Sequence, residues 1–426
     1  MSLEFFKNKF GKENYLLLIY LIVVISELLV IRSFSDLPTE LPNWVPKAQD
    51  LLNLKAPRDN FYGPGGAILI LPFLWNGPDY FFATIFYTAL GFVFYFKITQ
   101  KIKSHSFRII ALIFPLVNVY LFWLFISSQD TVLEFAMYLG FLYFATMNRW
   151  IIATFFGTLV ALTRSGYWAS LILGVLTLYA VAKYNKLRFD RKAFMIFPLL
   201  FAISTFNFFN YGSPSPALEG GLTSYFGYAK HHYLSLPKFD MDVFLSGQNG
   251  DFANPKLQAE LSGARSGAEK DQIYYKYART SILENPKETV LGWMQKFESH
   301  LINIQKVPQL PGRYVYDSTS NSIRIENERL TWPLVLGNLI YEIYRFFLLF
   351  GGLIAFGIYL GIKKISSRKL DFGKLYYLFV FWIFSIIPAV LYYSETRFKI
   401  VQEMSLIPLV VYVFSELQAR SKDRAR

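Results

Sequence analysis

Long runs of apolar residues dominate this chain and constrain its fold more than any other feature. A helix needs about 20 predominantly apolar residues to cross the hydrocarbon core of a bilayer. Hydrophobic residues make up 54% of the chain and charged residues only 17%, whereas a soluble domain usually carries about 25% charged residues. The sequence therefore predicts an all-α polytopic membrane protein with about ten transmembrane helices. The predicted spans, of which the fifth is the shortest, lie near residues 14–32, 79–97, 108–126, 131–147, 150–163, 167–182, 193–211, 344–362, 375–393 and 400–417.

The basic residues predict the orientation of these helices. Lysine and arginine are enriched on the cytoplasmic side of membrane proteins. Here they concentrate in one set of connections and in the C-terminal tail: residues 97–108, 183–192, 363–374 and 420–426. Both termini are thus predicted to be cytoplasmic, in a multi-pass protein of the plasma (inner) membrane. Because this distribution accounts for most of the net charge of +13, no nucleic-acid partner is expected.

The opposite, outer face carries the two long connections. Residues 33–78 form the first outer loop of an N-terminal transmembrane module, 1–211. Residues 212–338 form a large extracytoplasmic loop, and 339–426 the C-terminal transmembrane helices and cytoplasmic tail. The apolar stretch Gly66–Trp75 is too short to span and predicts a juxtamembrane or re-entrant helix. In the large loop, the spacing of apolar residues predicts a helix over Ala268–Ile304, broken at Asn285-Pro286.

Ionisable residues stand at four places where predicted spans meet the outer face, a location where such residues are costly and usually functional. Asp36 follows the first span and Asp130 opens the fourth; each is a candidate for acid–base chemistry or, alternatively, a helix cap. Arg164 lies in a tight turn between two spans, where an arginine either grips an anion or reaches to lipid headgroups. Arg397 and Lys399, two cations at a predicted helix N-terminus, form a candidate anion site.

Short motifs in chain order resemble the GT-C superfamily of glycosyltransferases that use polyprenyl-phosphate sugars. The similar branch contains the protein O-mannosyltransferases and the lipid A aminoarabinose transferases. The resemblance spans nearly the whole chain and rests on Asp36 before an aromatic–Ala–Leu helix, Phe61-Tyr-Gly-Pro-Gly-Gly-Ala-Ile-Leu-Ile-Leu-Pro72, Asp130, Leu162-Thr-Arg164, Tyr277–Pro286 with Gly292–Lys296, and Glu395-Thr-Arg397-Phe-Lys399. In three places the chain departs from the family pattern. Lys399 and Gln402 stand where the family often has arginine and proline, and Leu37 follows Asp36 where a second acid is common.

The resemblance implies an inverting sugar transfer at the outer face, from a polyprenyl-phosphate donor to a glycan, lipid or protein acceptor. Asp36 would act as the general base. Asp130 would orient the acceptor or, with Asp36, hold a divalent ion such as Mg²⁺ or Mn²⁺, and the sequence leaves metal dependence open. The donor phosphate would be bound by Arg397, Lys399 and Arg164. Glu395 and Tyr62 would shape the acceptor side of the site.

Two other classes of function stay open. A lipid-linked glycan polymerase or ligase is also polytopic with a large outer loop, but it typically relies on loop arginines. A non-enzymatic transporter or flippase predicts charges within the spans and symmetric halves. The predicted spans contain few ionisable residues, and the sequence has no internal repeat.

Overall fold

The computed structural model of the 426-residue chain describes most of the predicted spans and parts of the connections. The described residues are 12–33, 44–57, 64–76, 80–127, 129–184, 186, 188–215, 220–228, 255–301, 314–317, 322–325, 336, 339–341, 343, 345–354, 357–358, 375–391 and 396–425.

This described part is built almost entirely of helices. Ten helices lie before residue 212: α1 (Lys12–Ser33), α2 (Val45–Leu52), α3 (Gly65–Ile70), α4 (Phe81–Thr99), α5 (His105–Ile113), α6 (Val119–Ser127), α7 (Gln129–Thr146), α8 (Trp150–Thr163), α9 (Tyr167–Tyr184) and α10 (Ile196–Tyr211). Six more follow: α11 (Gly220–Tyr228), α12 (Pro255–Gly263), α13 (Gly267–Glu284), α14 (Pro286–Leu301), α15 (Tyr376–Leu391) and α16 (Thr396–Ala425). Short 3₁₀ helices extend three regions (Leu71–Asn76, Phe114–Val117 and Arg191–Met195), and Phe346–Phe350 forms a π-helical turn.

Several of these helices have the character of membrane spans. Within the described ranges, four are long and apolar enough to cross a bilayer: α1, α4, α9 and the continuous segment Arg191–Tyr211. Five shorter apolar helices accompany them, at Gly65–Trp75, His105–Val117, Thr131–Thr146, Trp150–Thr163 and Tyr376–Pro388. The chain is therefore a helical protein of the polytopic membrane class, in agreement with the coarse prediction.

Helix α1 shows how one such helix divides its surface. Tyr20, Val24, Leu28 and Ile31 are buried, and their spacing places them on one stripe of the helix. The other sides expose large apolar residues, among them Ile22 at 57% and Val30 at 56%. A helix that is apolar on its exposed sides as well as its packed side is suited to lipid rather than water.

The third predicted span, residues 108–126, is not one continuous helix. It is divided into α5, a 3₁₀ turn and α6. Pro115 has no backbone N–H with which to continue the hydrogen-bond ladder of α5. Asn118 then leaves the helical region, with φ −92° and ψ 74°, and its Oδ1 accepts the N–H of Leu121 at 3.1 Å. The side chain of Asn118 thus caps the start of α6.

The core of the bundle lies around α7, which packs against α4, α8 and α16. Aromatic rings fill much of this core. Phe92 of α4 stacks on Phe122 at a centroid distance of 5.7 Å and lies 5.1 Å from Phe135 of α7. Phe141 of α7 meets Phe381 of α15 edge-to-face at 4.6 Å. These contacts bury large apolar areas in preferred ring geometries.

One end of the bundle gathers the ends of helices that the predicted topology places in the cytoplasm. Arg108, at the start of α5, donates to both carboxylate oxygens of Glu13 at 2.9 and 2.5 Å. Gln100, just after α4, donates to the same carboxylate at 3.3 Å. Lys101 lies beside Met147, which follows α7. The starts of α1 and α5 and the ends of α4 and α7 therefore meet here, as the predicted topology requires.

The segment between α10 and α15 contains helices of its own. Helix α11 packs on α13, and α14 packs on α15. The predicted helix over Ala268–Ile304 is confirmed through residue 301 as α13 and α14, and its last three residues lie outside the described ranges. The break falls at Asn285, whose φ of −132° and ψ of 60° end α13. A two-stranded antiparallel hairpin pairs β1 (Tyr314–Asp317) with β2 (Ser322–Ile325). It is a small exception to the all-α prediction.

Candidate functional site

A buried cluster of polar side chains lies where α7, α8 and α9 meet. The Glu134 carboxylate, on the second turn of α7, has no exposed surface. Its Oε2 accepts a hydrogen bond from Arg164 Nε at 2.7 Å, and its Oε1 accepts one from the Tyr167 hydroxyl at 2.5 Å. Both oxygens of this carboxylate are therefore engaged, one of them by a cation.

The local chain geometry explains why Arg164 reaches this carboxylate. Arg164 ends α8 in an extended conformation, with φ −138° and ψ 111°. The turn closes through hydrogen bonds from the Tyr167 N–H to the Arg164 carbonyl and from the Trp168 N–H to Ser165, both at 3.1 Å. This confirms the predicted tight turn. Because it is so short, Arg164 and Tyr167 both face the start of α7.

The side chain of Arg164 is 15% exposed, whereas Glu134 beneath it is completely enclosed. A buried carboxylate of this kind fixes the plane of a guanidinium and holds its charge at the edge of an apolar bundle. The arrangement can present a positive charge to an anion, and it makes Glu134 a partner of that cation rather than a free base.

A second buried ion pair joins Arg345, just before the π-helical turn, to Glu403 of α16. Arg345 donates to both oxygens of Glu403, at 2.7 Å from Nε and 2.6 Å from Nη2, and both side chains are 2% exposed. The Tyr341 hydroxyl donates to the same carboxylate at 3.2 Å. The neighbouring Gln402 contacts Tyr167 of the first cluster. The two clusters therefore form one polar layer inside the helical bundle.

Segments of the predicted first outer loop pack directly on the Arg164 turn. A Cβ on Gly65 would lie 2.5 Å from the Thr163 nitrogen, and one on Gly66 would lie 2.5 Å from the Trp44 ring. Only glycines allow α3 to approach the end of α8 and the start of α2 so closely. Lys47 of α2 is 3% exposed, and its Nζ lies 5.5 Å from the Trp44 ring centroid. Lys47 is therefore a buried cation at the same end of the bundle as Arg164.

Tyr228, the last residue of α11, links α11 and α14 to the end of α15. The Tyr228 hydroxyl donates to the carbonyl of Leu391, the last residue of α15, and accepts the indole N–H of Trp293 at 2.8 Å. Lys296 of α14 is 3% exposed, and its Nζ lies 4.7 Å from the Tyr228 ring centroid. Burial lowers the pKa of Lys296 from its ordinary value to about 7. Tyr228 therefore connects α11, α14 and α15.

The sequence-predicted site residues are described to different extents. Arg164 is fully described and lies in the ion pair with Glu134. Asp130 falls in the first turn of α7, one turn before Glu134, and Arg397 and Lys399 fall in the first turn of α16; their side chains lie outside the described part. Asp36, Tyr62 and Glu395 lie outside the described residues altogether. The assigned roles of these residues stay predictions.

Sequence reasoning missed Glu134, the Arg345–Glu403 pair and Lys296 as site candidates. The only available signal for Glu134 was its position four residues after Asp130, which places the two one helical turn apart. Lys296 ends the motif Gly292–Lys296, and Glu403 lies four residues after the motif that ends at Lys399. In the described part of the chain, no three His, Asp or Glu side chains come together as a set of metal ligands.

The fold and this polar layer define a polytopic helical membrane protein with a buried, charge-paired site near one end of its bundle. No protein-family model, curated protein or solved structure matches the chain. Function is therefore inferred from the chain's own residues.

Proposed function

We propose that the protein is a membrane glycosyltransferase of the GT-C type, which transfers a sugar from a polyprenyl-phosphate donor to an acceptor hydroxyl. In this proposal the chain crosses the plasma membrane about ten times, and the site lies on the extracytoplasmic face. The observation that carries the proposal is the Arg164 guanidinium, held at the edge of an apolar bundle by the buried Glu134 carboxylate.

A lipid-linked phosphate suits such a cation. The prenyl chain of the donor would lie in the bilayer, so its charged phosphate stays at the membrane boundary. Helix α16 starts with Arg397 and Lys399 in its first turn, where backbone N–H groups also favour an anion. Gln402, one turn further along α16, contacts Tyr167 of the Arg164 cluster. The structural link between α16 and the Arg164 turn supports one donor-phosphate site shared by these cations.

The proposed reaction is a single in-line displacement. Asp36 takes the proton of the acceptor hydroxyl as the acceptor oxygen attacks the anomeric carbon. The bond from that carbon to the phosphate oxygen breaks, its electron pair leaves with the polyprenyl phosphate, and the anomeric centre inverts. Arg397, Lys399 and Arg164 stabilise the charge on the leaving phosphate. Asp130 orients the acceptor or holds a divalent ion, while Glu395 and Tyr62 shape the acceptor side.

The buried charges also bear on the transporter alternative. Glu134 and Arg345 lie within predicted spans, yet both are engaged in ion pairs. In the enzyme proposal these pairs position the helices that carry the site, whereas a transporter would use charges in its spans as part of the substrate pathway. Polyprenyl-phosphate binding separates the two classes, because a transporter of soluble substrates would not bind that lipid.

Binding of a short-chain polyprenyl phosphate to the detergent-purified protein tests the proposal. A charge-assisted hydrogen bond contributes roughly 1.5–3 kcal/mol, so Arg397→Ala should weaken binding by about ten- to a hundredfold. Arg397→Lys should restore binding only in part, because an ammonium lacks the planar fork of a guanidinium. Arg188→Ala, an exposed arginine before the 3₁₀ turn that leads into α10, serves as the matched control. Absence of binding by the unmodified protein would overturn the donor class, and equal affinities would remove Arg397 from the site.

A further inference from the structure

Helix α14 has three distinct faces. Its packed face includes Thr289 and Lys296, which are 9% and 3% exposed. A second face carries large apolar residues that are exposed: Val290 at 50%, Leu291 at 49%, Met294 at 63% and Phe297 at 47%. Their spacing of one, three, four and seven residues places them side by side on the helix. Glu288 is exposed on the remaining polar side, whereas Lys287 stands in the first turn at the end of the apolar face.

The packing of α14 shows what lies next to this apolar face. Helix α14 contacts α15, which contains one of the shorter apolar helices, Tyr376–Pro388. Trp293 of α14 reaches the last residue of α15 through the Tyr228 hydroxyl. Leu391, that last residue, exposes 38% of its own surface, and Leu283 at the end of α13 exposes 68%. Exposed apolar side chains therefore continue from α14 to the helices on either side of it.

We infer that α14 lies in the outer boundary of the bilayer, with Val290, Leu291, Met294 and Phe297 in contact with lipid acyl chains. Four large apolar residues on one face of a surface helix mark an interaction site and are unfavourable in water. A helix with one apolar face and one charged face lies in the plane of a membrane interface, with its apolar side several ångströms below the headgroups.

Bilayer lipid is the partner that this position favours. The exposed face belongs to a helix packed on an apolar helix that the sequence predicts to span the membrane, so lipid reaches it without any additional protein. Glu288, on the polar side, is then left in water. The inference depends on the membrane class of the protein and not on the reaction that it catalyses.

Fluorescence from single cysteines can measure the depth of α14, because the chain contains no cysteine. An environment-sensitive dye would be attached to Met294→Cys and, as the matched control on the polar side, to Glu288→Cys. Each labelled protein would be placed in phosphatidylcholine nanodiscs, with quenching by nitroxide-labelled lipid and by aqueous iodide. Dye at position 294 should emit at shorter wavelength and be quenched several-fold more by the lipid nitroxide than by iodide. Dye at position 288 should show the reverse.

Two results would overturn the inference. Equal iodide quenching at both positions would place the apolar face in water. A short-wavelength emission at position 294 without lipid quenching would mean that protein, such as a second copy of the chain, covers it. Leu291→Cys, on the same face, replaces Met294→Cys if the latter does not elute as the folded protein in gel filtration.

Discussion

Arg164 and Glu134 form an ion pair with the Arg164 Nε 2.7 Å from the Glu134 Oε2. The two residues differ in burial, because the carboxylate is fully enclosed while the arginine side chain is 15% exposed. Tyr167 engages the second carboxylate oxygen. The buried carboxylate therefore holds the guanidinium in one position. Substituting Glu134 and substituting Arg164 should change the stability of the protein by different amounts.

Removing the carboxylate should be more damaging than removing both charges. Glu134→Ala leaves the Arg164 charge without its buried partner, and such a loss typically costs about 3–5 kcal/mol of stability. The double variant Glu134→Leu with Arg164→Leu should recover most of that loss but should not recover donor binding. Thermal unfolding in detergent measures the first effect. If Glu134→Ala loses no more stability than Glu284→Ala, at an exposed position, the pair does not stabilise the bundle.

Asp36→Asn tests the proposed base. The amide keeps the shape of the side chain but cannot accept the proton, so transfer should fall by roughly 10²–10⁴-fold. The dissociation constant for the donor should change little from that of the unmodified protein, because the proposed phosphate contacts lie elsewhere. Asp190→Asn is the control, since that carboxylate accepts the N–H of Lys192 at the start of a 3₁₀ turn. Full turnover in the Asp36 variant would make Asp36 a structural residue.

Gly65→Ala should disturb the approach of α3 to the Arg164 turn. The added methyl would lie 2.5 Å from the Thr163 nitrogen and 2.6 Å from the Leu162 carbonyl carbon, and backbone cannot rotate aside as a side chain can. Overpacking of this kind typically costs about 1–3 kcal/mol. Gly263→Ala is the matched control, because nothing lies within 4 Å of its added methyl. Equal unfolding temperatures for the two variants would contradict the close packing.

Thiol labelling tests the predicted sidedness. In the cysteine-free chain, Arg188→Cys should be protected from an impermeant reagent in intact cells, because the positive-inside rule places residue 188 in the cytoplasm. Lys270→Cys, an exposed position on α13, should be labelled. Permeabilised cells should label both positions. The reverse pattern would invert the topology and move the proposed site to the cytoplasmic face.

Asp271 predicts a pH dependence of stability. The residue is 4% exposed and its carboxylate accepts the Gly221 N–H at 2.6 Å, yet burial raises the pKa of Asp271 from 3.8 to about 6. The folded protein therefore binds this proton more tightly than the unfolded chain does. The contribution of the protonated Asp271 carboxyl to the unfolding free energy is complete below about pH 4 and is lost as the pH rises through about 6. The difference in unfolding free energy between the unmodified protein and Asp271→Asn should change across this window. A difference that is constant with pH would contradict the raised pKa.

The positions of the apolar helices could be predicted from sequence because length and hydrophobicity suffice to define them. The break at Asn118 could not, since the apolar run continues through it and a local side-chain cap decides the geometry. Glu134 looks like an isolated acid in a span, because its partner Arg164 is 30 residues away and meets it only when α7 packs on α8. The helix break at Asn285 could be predicted from the sequence because a proline follows it.

The spacing of the two buried ion pairs along the chain bears on how the protein enters the membrane. Glu134 and Arg164 belong to consecutive helices and are 30 residues apart, so they can neutralise each other as one helical hairpin leaves the insertion machinery. Arg345 and Glu403 are 58 residues apart, with α15 made between them. An arginine near the end of a nascent span is stabilised when an acidic partner reaches it, and Glu403 becomes available only once α16 has been made. We therefore expect the Arg345 segment to reach its final packing only after α16 has been synthesised, which makes the last helix a requirement for completing the fold.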